Sequence, residues 1–287
     1  MRRFEILEPK SIAEACKILA AEEDVKLIAG GTALLILIKQ GIFVPKTLIN
    51  LKKIKDAGEI TYNSNDGLRI GGLASIYDVE SGAVVREHYP LLAEACHVVA
   101  NIRIRNMATI AGNLAHADYQ SDPPAALVAL DAKVELTNRN RVRSVKLADF
   151  LIGMYETGLE RDELLTGLLV PPPPPNSKGT YLKFATRSSE DRPCAGVAAL
   201  VQRSNGTWQA ARVVVGAVSP VPVVVTGADF VNGPAMTSDS IEEIASKAQA
   251  AVNPIDDLRG TVAYKRHLVK VLVRRALTAC LNEEGTR

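Results

Sequence analysis

The chain has 287 residues, of which 47% are hydrophobic, so it is long enough for two domains with a substantial core. Its 34 basic and 32 acidic residues leave a formal net charge of +2, which excludes an overall basic field that would recruit nucleic acid. The N-terminus lacks a secretory signal, and the apolar run at residues 34–38 is far shorter than the roughly 20 residues that cross a bilayer. We expect a soluble cytoplasmic protein with no nucleic-acid partner and no integral membrane segment.

Four cysteines are widely separated along the chain: Cys16, Cys96, Cys194 and Cys280. None of them shows the C-x-x-C spacing of a zinc or iron–sulfur site, so the sequence predicts no metal centre in this chain. Cys16 and Cys96 fall in apolar helical stretches, where we expect buried, reduced thiols.

The N-terminal segment has the pattern of a small α/β unit. Ser11 with Glu14 three residues later is a capping box that predicts the start of a helix. The later predicted elements, in chain order, are a strand at 25–28, a helix at 32–40 that ends at Gly41, and a strand at 47–51.

A second unit begins near residue 59. Asn65-Asp66-Gly67 predicts a hairpin turn, and Ser75 with Asp78 predicts a second capped helix. The remaining predicted elements are helices at 91–100 and after Asp122, and strands at 133–137 and 143–146.

Five consecutive prolines at residues 171–175 predict a stiff extended linker. The segments after it predict strands at 181–186, 197–202, 208–215 and 221–226, and helices at 241–251 and 261–281. We therefore predict a two-lobed domain at 1–170 (lobes about 1–55 and 56–170), the linker at 171–175, and a smaller α+β domain at 176–287.

Two glycine-containing motifs carry the functional signal. Gly30-Gly31 follows the predicted strand at 25–28, and the sequence "TIAGNLAHAD" places Ala111-Gly112-Asn113 after a second apolar stretch. Successive N–H groups in such turns bind anionic oxygens, so two facing turns can enclose a pyrophosphate. Two unrelated structural turns are the alternative. The sequence contains no Rossmann or P-loop fingerprint.

These motifs occur in the order and spacing of a known family. "AGGTALL" at 29–35, "IRNMATIAGNLAHAD" at 104–118 and "SDPPAALVALDAKVEL" at 121–136 resemble the flavoprotein (medium) subunit of the molybdenum hydroxylases, which include aerobic carbon monoxide dehydrogenase and xanthine dehydrogenase. "FLIGMYETGLERDELLTGLLVP" at 150–171 resembles the end of its FAD domain, and "YLKFATRSSED" at 181–191 the start of its C-terminal domain.

The resemblance implies an α+β fold: a two-lobed FAD-binding domain of the vanillyl-alcohol-oxidase (PCMH) type, followed by a small domain with an antiparallel sheet and helices. It implies no catalytic residue in this chain. The cofactor-binding residues that it implies are Ala29, Gly30, Gly31, Thr32, Ala33 and Leu34 from one lobe, Thr109, Gly112 and Asn113 from the other, and Asp122, Tyr181 and Lys183 near the flavin.

Some of these assignments have alternatives. Lys183 is either a cation beside the flavin or a solvated strand residue, and Asp122 is a flavin ligand, a helix cap or both. Two positions depart from the family pattern: Ala33 replaces a frequent aspartate, and Ala111 replaces a frequent glycine. His116 is expected to bond the cofactor or the loop backbone rather than to act in catalysis.

The resemblance implies an oxidoreductase subunit that relays electrons. A large partner subunit would carry the molybdenum cofactor and a small partner two-iron two-sulfur clusters, in a heterohexamer formed as a dimer of heterotrimers. Electrons would pass through FAD in this chain to an acceptor. Two alternatives remain open: a stand-alone FAD-dependent oxidase of the same fold, and a scaffold subunit that has lost FAD.

Overall fold

A computed structural model describes residues 3–204, 207–225 and 237–281, and over these residues the chain forms three main β-sheets and one two-stranded hairpin. The first two sheets belong to the N-terminal lobes, and the third belongs to the C-terminal part. Within the described residues no helix combines the length and apolarity needed to span a membrane.

The first lobe is a three-stranded parallel sheet with strand order β1-β3-β2. Its elements are β1 (Glu5–Leu7), α1 (Ile12–Ala21), β2 (Val25–Ile28), α2 (Leu34–Lys39) and β3 (Thr47–Asn50), followed by a 3-10 turn (Leu51–Lys53). Ala15, Cys16 and Ile49 form the centre of its small core. The predicted capping box at α1 is half formed: Ser11 accepts from the Glu14 N–H, but Glu14 accepts from the Lys10 N–H instead of Ser11.

The second lobe has a five-stranded antiparallel sheet with order β4-β5-β10-β6-β7. Its strands are β4 (Ile60–Asn63), β5 (Gly67–Gly71), β6 (Lys133–Thr137), β7 (Val142–Lys146) and β10 (Leu164–Val170), with a small hairpin of β8 (Leu151–Gly153) and β9 (Glu156–Thr157) beside it. The predicted hairpin at Asn65-Asp66-Gly67 is confirmed by the antiparallel β4–β5 pairing, and Gly67 has the left-handed φ of +90° that favours glycine.

The second lobe also contains short helices. They are α3 (Ile76–Ser81), α4 (Ala83–His88), α5 (Pro90–His97), α6 (Ile102–Met107), α7 (Ile110–His116), α8 (Pro123–Ala129) and α9 (Leu147–Phe150). At α3 the predicted capping box of Ser75 and Asp78 is complete, because each residue bonds the backbone N–H of the other. The predicted helix at 91–100 is shorter, since α5 ends at His97.

The C-terminal part contains a four-stranded antiparallel sheet, order β11-β12-β13-β14, and two helices. Its elements are β11 (Ser177–Phe184), β12 (Ala195–Ser204), β13 (Thr207–Gly216), β14 (Val223–Val224), α10 (Ser238–Ala251) and α11 (Val262–Leu281). This arrangement confirms the predicted antiparallel sheet with helices. Thr226, the last residue of the predicted strand at 221–226, lies outside the described residues.

The C-terminal sheet packs directly on the second lobe. Helix α8 is buried along its whole length and lies against β12 and β13, while α5 lies against β11. A Cβ on Gly216 would meet the Cβ of Ala125 at 3.2 Å, so this packing is close. Tyr181, on β11, belongs to the hydrophobic core of the second lobe. Burial against the C-terminal sheet therefore fixes the position of α8 and of the residue that precedes it, Asp122.

All four cysteines are buried and free. Burial raises the pKa of the Cys280 thiol to about 12 and also raises that of Cys96. The prediction of buried, reduced thiols at Cys16 and Cys96 is confirmed.

Candidate functional site

The first glycine motif forms a tight turn between β2 and α2. Gly31 has a φ of +73°, a conformation that L side chains rarely adopt. Among the described residues, the backbone N–H groups of Gly31, Thr32, Ala33 and Leu34 make no hydrogen bond. All four residues are partly exposed. The turn thus presents a run of free donors, which is the property expected of an anion-binding loop.

The two glycine motifs lie in contact. A Cβ on Gly30 would lie 2.1 Å from the carbonyl oxygen of Met107 and 2.8 Å from the Cα of Ala108. Those two residues immediately precede Thr109, where the second motif begins. The fold therefore brings the two motifs together across the junction of the lobes, although about 80 residues of chain separate them.

The second motif is a helix start, and the predicted turn at Ala111-Gly112-Asn113 is wrong. These residues lie inside α7, for which Thr109 is the N-cap. The Thr109 hydroxyl accepts from the Gly112 N–H at 3.1 Å, and the Thr109 carbonyl accepts from the Asn113 N–H at 3.0 Å. Two N–H groups that a turn would have offered to a ligand are thus already paired inside the helix.

The two departures from the family pattern fit this geometry. Ala111 is buried within α7 and has no positive φ, so glycine is not required there. Ala33 is the N-cap of α2 without any side-chain hydrogen bond. A bound anion would therefore meet backbone N–H groups at this turn rather than a side chain at position 33.

Asn113, on α7, bonds the residue that precedes Asp122. Its side-chain oxygen accepts from the Ser121 hydroxyl at 2.9 Å, and Ser121 directly precedes Asp122. The second motif and Asp122 are therefore linked by one hydrogen bond. Sequence reasoning missed Ser121, and the signal for it was the unbroken polar run of Gln120, Ser121 and Asp122 before two prolines.

Asp122, Tyr181 and Lys183 form one buried network. The Tyr181 hydroxyl donates to Asp122 Oδ1 at 3.0 Å, and the Lys183 ammonium lies 3.1 Å from Asp122 Oδ2. The side chains of Asp122 and Lys183 are 5% and 6% exposed. Lys183 also donates to the Val98 carbonyl at 2.8 Å. The alternative that Lys183 is a solvated strand residue is therefore wrong.

Helix capping is not the role of the Asp122 side chain. Asp122 precedes α8 in the N-cap position, but its φ of −80° and ψ of −49° are helical, and it makes no side-chain capping bond. Its carboxylate points instead to Tyr181 and Lys183 on β11. Opposite them, Gly196 leaves room for the tyrosine, because a Cβ there would lie 2.2 Å from the Tyr181 hydroxyl.

Burial sets the ionisation of this network. It raises the pKa of Asp122 to about 6, although Lys183 and the Tyr181 hydroxyl both favour the carboxylate. Burial and the neighbouring carboxylate also raise the pKa of Tyr181 well above its usual value. Asp122 is therefore an anion at neutral pH. The Tyr181 hydroxyl stays protonated and donates a hydrogen bond to Asp122.

A second buried ion pair joins α6 to α3. Arg105 Nε donates to Glu80 at 2.6 Å, and both side chains are at most 10% exposed. Arg105 also donates to the Val99 carbonyl, and His97 lies 2.7 Å from Glu80. Sequence reasoning missed this pair. It fixes the helix whose last residue, Met107, contacts Gly30.

His116 lies at the end of α7 beside Tyr155. Their ring centroids are 5.3 Å apart, and the Tyr155 N–H donates to the Ala117 carbonyl. Burial lowers the pKa of His116. A neutral, ring-packed histidine fits a structural role better than a catalytic one.

Two family models match this chain. The first, described as the FAD binding domain in molybdopterin dehydrogenase, matches residues 2–173. The second, described as the CO dehydrogenase flavoprotein C-terminal domain, matches residues 180–280. Together they cover nearly the whole sequence.

Full-length relatives agree with the family models. The carbon monoxide dehydrogenase medium chain of Hydrogenophaga pseudoflava is 33% identical over 279 residues, covering 96% of this chain and 96% of that protein. The glyceraldehyde dehydrogenase medium chain of Sulfolobus acidocaldarius is 30% identical, covering 95% and 96%. The solved structure of the H. pseudoflava carbon monoxide dehydrogenase lacking the Mo-pyranopterin moiety of its molybdenum cofactor matches with a TM-score of 0.92 and 33% identity, covering 97% of each chain.

Proposed function

Because the chain belongs to the family of FAD-binding medium subunits of molybdenum hydroxylases, we propose that it is the electron-transfer subunit of such an enzyme. In this role it passes electrons from iron–sulfur clusters of a partner subunit through FAD to an acceptor. The observation that carries the proposal is the set of free N–H groups at Gly31, Thr32, Ala33 and Leu34, held against the second glycine motif.

The pyrophosphate of FAD fits these donors. A phosphate oxygen accepts several N–H hydrogen bonds, and here the donors come from backbone that is already fixed by the left-handed Gly31. The residues assigned to this contact are Ala29, Gly30, Gly31, Thr32, Ala33 and Leu34. We also assign Thr109, Gly112 and Asn113 to this contact, because Thr109, which caps α7, lies two residues after Met107, whose backbone packs against Gly30.

Asp122, Tyr181 and Lys183 are assigned to the flavin end of the site. An ammonium group has three N–H donors, and Lys183 uses two of them within the described part of the chain. One donor remains for a cofactor oxygen. Asp122 fixes the position of that ammonium by a hydrogen-bonded ion pair. A cation held in this way favours negative charge on the flavin and raises its reduction potential.

FAD itself supplies the redox chemistry when it is bound, so the chain needs no general acid or base of its own. Among the described residues no group of three or more His, Cys, Asp or Glu side chains could hold a metal ion. The protein's contribution is to bind and orient the cofactor and to hold a positive charge beside it.

Partner subunits complete the proposed enzyme. A large subunit carries the molybdenum cofactor and the substrate pocket, and a small subunit carries two-iron two-sulfur clusters. Two relatives are named as medium chains, and the first family model is described as a domain of molybdopterin dehydrogenases, which supports this composition. We assign the complex to the cytoplasm as a dimer of heterotrimers. The oxidised substrate belongs to the large subunit, and the relatives named here act on different compounds.

We also propose the domain limits 1–170 and 176–287, joined by the proline linker at 171–175. The limits of the two matched family models support this division. The linker residues carry no helix or strand and connect β10 to β11.

The test is purification of the affinity-tagged chain from its own host, with FAD, molybdenum and iron measured in the same fraction. We expect two further subunits, both metals and FAD equimolar with this chain. A complex that contains both partners and both metals but no FAD would contradict FAD binding and support a scaffold role. A yellow protein without partners that oxidises a small alcohol would support the stand-alone oxidase instead.

A further inference from the structure

The connection between α7 and α8, residues 117–122, has an unusual pattern of burial. Its alternate residues Asp118, Gln120 and Asp122 are all polar, and with backbone atoms included they are 8%, 6% and 3% exposed. Polar side chains are rarely buried to this extent unless they are paired. The α7–α8 connection is therefore held by specific partners.

Each of the three residues bonds a different element of the C-terminal domain. Asp118 pairs with Arg192, in the loop between β11 and β12, at 2.9 Å. Gln120 Nε2 donates to Asp257 Oδ2, in the loop between α10 and α11, at 3.2 Å. Asp122 bonds β11, as described above. The C-terminal domain thus holds the α7–α8 connection at three successive points.

Asp257, the partner of Gln120, is itself held by a buried lysine. Lys265, on α11, is 1% exposed, and its ammonium lies 2.8 Å from Asp257 Oδ1 and 2.7 Å from the Ile255 carbonyl. The Arg259 N–H also donates to Asp257 Oδ1. With Oδ1 occupied on one side, Oδ2 of Asp257 remains for Gln120. This chain of contacts connects α11 to the α7–α8 connection.

We infer that Gln120, Asp257 and Lys265 are positioning residues for the cofactor site, acting through the α7–α8 connection without touching the cofactor. This inference rests on the proposed FAD site. Gln120 lies next to Ser121, which bonds Asn113, and two residues before Asp122, which bonds Lys183. A buried amide or carboxylate that loses its partner is costly, so the connection keeps this conformation only while the C-terminal domain is docked. The C-terminal domain thereby contributes to FAD affinity.

The test compares the full chain, purified with its natural subunits, as wild type, Gln120→Glu and the double variant Gln120→Glu/Asp257→Asn. Gln120→Glu places two carboxylates against each other. Asp257→Asn restores a donor–acceptor pair with the original total charge, and the amide oxygen of the asparagine can still accept from Lys265 and from the Arg259 N–H. Gln202→Glu is the control, because it makes the same change of side chain at a partly exposed glutamine on β12. Two readouts are taken: amide hydrogen exchange of residues 117–122 in flavin-depleted protein, and the FAD dissociation constant.

We expect Gln120→Glu to speed exchange of the α7–α8 connection and to weaken FAD binding about tenfold, which corresponds to about 1.4 kcal/mol. The double variant should return both values to within about threefold of wild type, a difference below 1 kcal/mol. Gln202→Glu should change neither. Gln120→Asn shortens the side chain without adding charge, so it should change both readouts in the same direction as Gln120→Glu but to a smaller extent. It replaces Gln120→Glu in the test if that variant does not fold.

Three results would overturn the inference: unchanged exchange, faster exchange with unchanged FAD affinity, or losses that add in the double variant. If wild-type protein binds no FAD, the proposed function fails. In that case amide exchange still tests whether the Gln120–Asp257 bond holds the α7–α8 connection. Unchanged exchange in Gln120→Glu would overturn that claim, and faster exchange that Asp257→Asn reverses would support it.

Discussion

Gly30 lies against the backbone of Met107, with space for a hydrogen atom and none for a methyl group. A Cβ on Gly30 would be 2.1 Å from the Met107 carbonyl oxygen. This contact joins the turn of the first lobe to the start of the second motif. It explains the first glycine of the pair by close backbone packing, whereas the left-handed φ of +73° explains the second.

Gly30→Ala should therefore remove bound FAD. The new methyl group meets backbone atoms of Met107 and Ala108, which cannot rotate away, so the two motifs must separate. We expect a flavin-to-protein absorbance ratio below about a tenth of wild type, a change equivalent to more than about 1.4 kcal/mol of binding energy. Gly158→Ala is the control, since the atoms nearest to its Cβ lie at 3.8 and 3.9 Å. Normal flavin content in Gly30→Ala would contradict the proposed contact of the motifs around FAD.

Thr109→Ala should destabilise α7 by removing its N-cap. The hydroxyl accepts from the Gly112 N–H at 3.1 Å, and loss of such a cap costs about 1 kcal/mol. Urea unfolding of the flavin-depleted chain measures this free energy. Thr109→Ser keeps the hydroxyl and should retain most of the stability. Equal losses in both variants would show that the methyl packing of Thr109, and not its cap, is what matters.

Asp122 should give an unusual pH dependence of stability. Its pKa is raised by burial from 3.8 to about 6, so the folded protein binds a proton more readily than the unfolded chain. Asp122 therefore favours folding below pH 4, and this contribution is lost as the pH rises from about 4 to 6. The change is about 3 kcal/mol, at 1.36 kcal/mol per pKa unit.

The measurement is the unfolding free energy of wild type minus that of Asp122→Asn across this pH range. The asparagine variant does not titrate, so the difference isolates Asp122. We expect the difference to fall as the pH rises. A difference that rises with pH would mean that the ion pair with Lys183 outweighs burial.

Glu163 should behave in the opposite way. Its carboxylate is held by two hydrogen bonds from Arg143, both of 2.7 Å, and these bonds lower its pKa below the usual 4.5. A lowered folded pKa gives stability above pH 4.5 that is lost as the pH falls through the folded value. Glu163→Gln should cost about 1–3 kcal/mol at neutral pH, and less in acid.

The exposed pair of Glu160 and Arg141 provides the control for Glu163. Both side chains are about half exposed, so Glu160→Gln should cost less than about 1 kcal/mol. Urea unfolding at neutral and acid pH compares the two variants. The Glu163 side chain is 0% exposed, so equal costs in the two variants would contradict the claim that burial strengthens its bonds to Arg143.

Local sequence patterns predicted much of this fold. The strands at 25–28 and 133–137 have the predicted bounds, because short apolar or alternating runs bounded by turn residues specify them without help from distant contacts. The predicted helix at 32–40 is shorter in the structure, since the residues before Leu34 form the glycine turn. Its predicted end at Gly41 agrees with that residue's φ of +76°.

The second motif was the main local error. Gly112 and Asn113 favour turns, and that preference hid a helix start whose signal was Thr109 in the N-cap position. The family resemblance still assigned Thr109, Gly112 and Asn113 to the site. Those assignments depend on the distance between α7 and the first glycine turn. That distance is set by tertiary packing and cannot be read from the sequence.

The hydrogen bonds and ion pairs between the two domains cannot be predicted from the sequence. Gln120 and Asp257 are separated by 137 residues, and neither belongs to a recognisable pattern. The family resemblance assigns Asp122, Tyr181 and Lys183 to the site one by one, but the bonds between them form only because β11 packs beside Asp122. Such pairs follow from tertiary packing and cannot be found from local propensity.

The most direct test of the account is a fluorescence titration of the flavin-depleted protein, with its partner subunits, using FAD and riboflavin. If the N–H groups of Gly31, Thr32, Ala33 and Leu34 bind the pyrophosphate, FAD should bind at least about 100-fold more tightly than riboflavin, which has the ring and lacks the phosphates. Equal affinity for the two compounds, or no binding of FAD, would contradict the central claim that this backbone holds FAD.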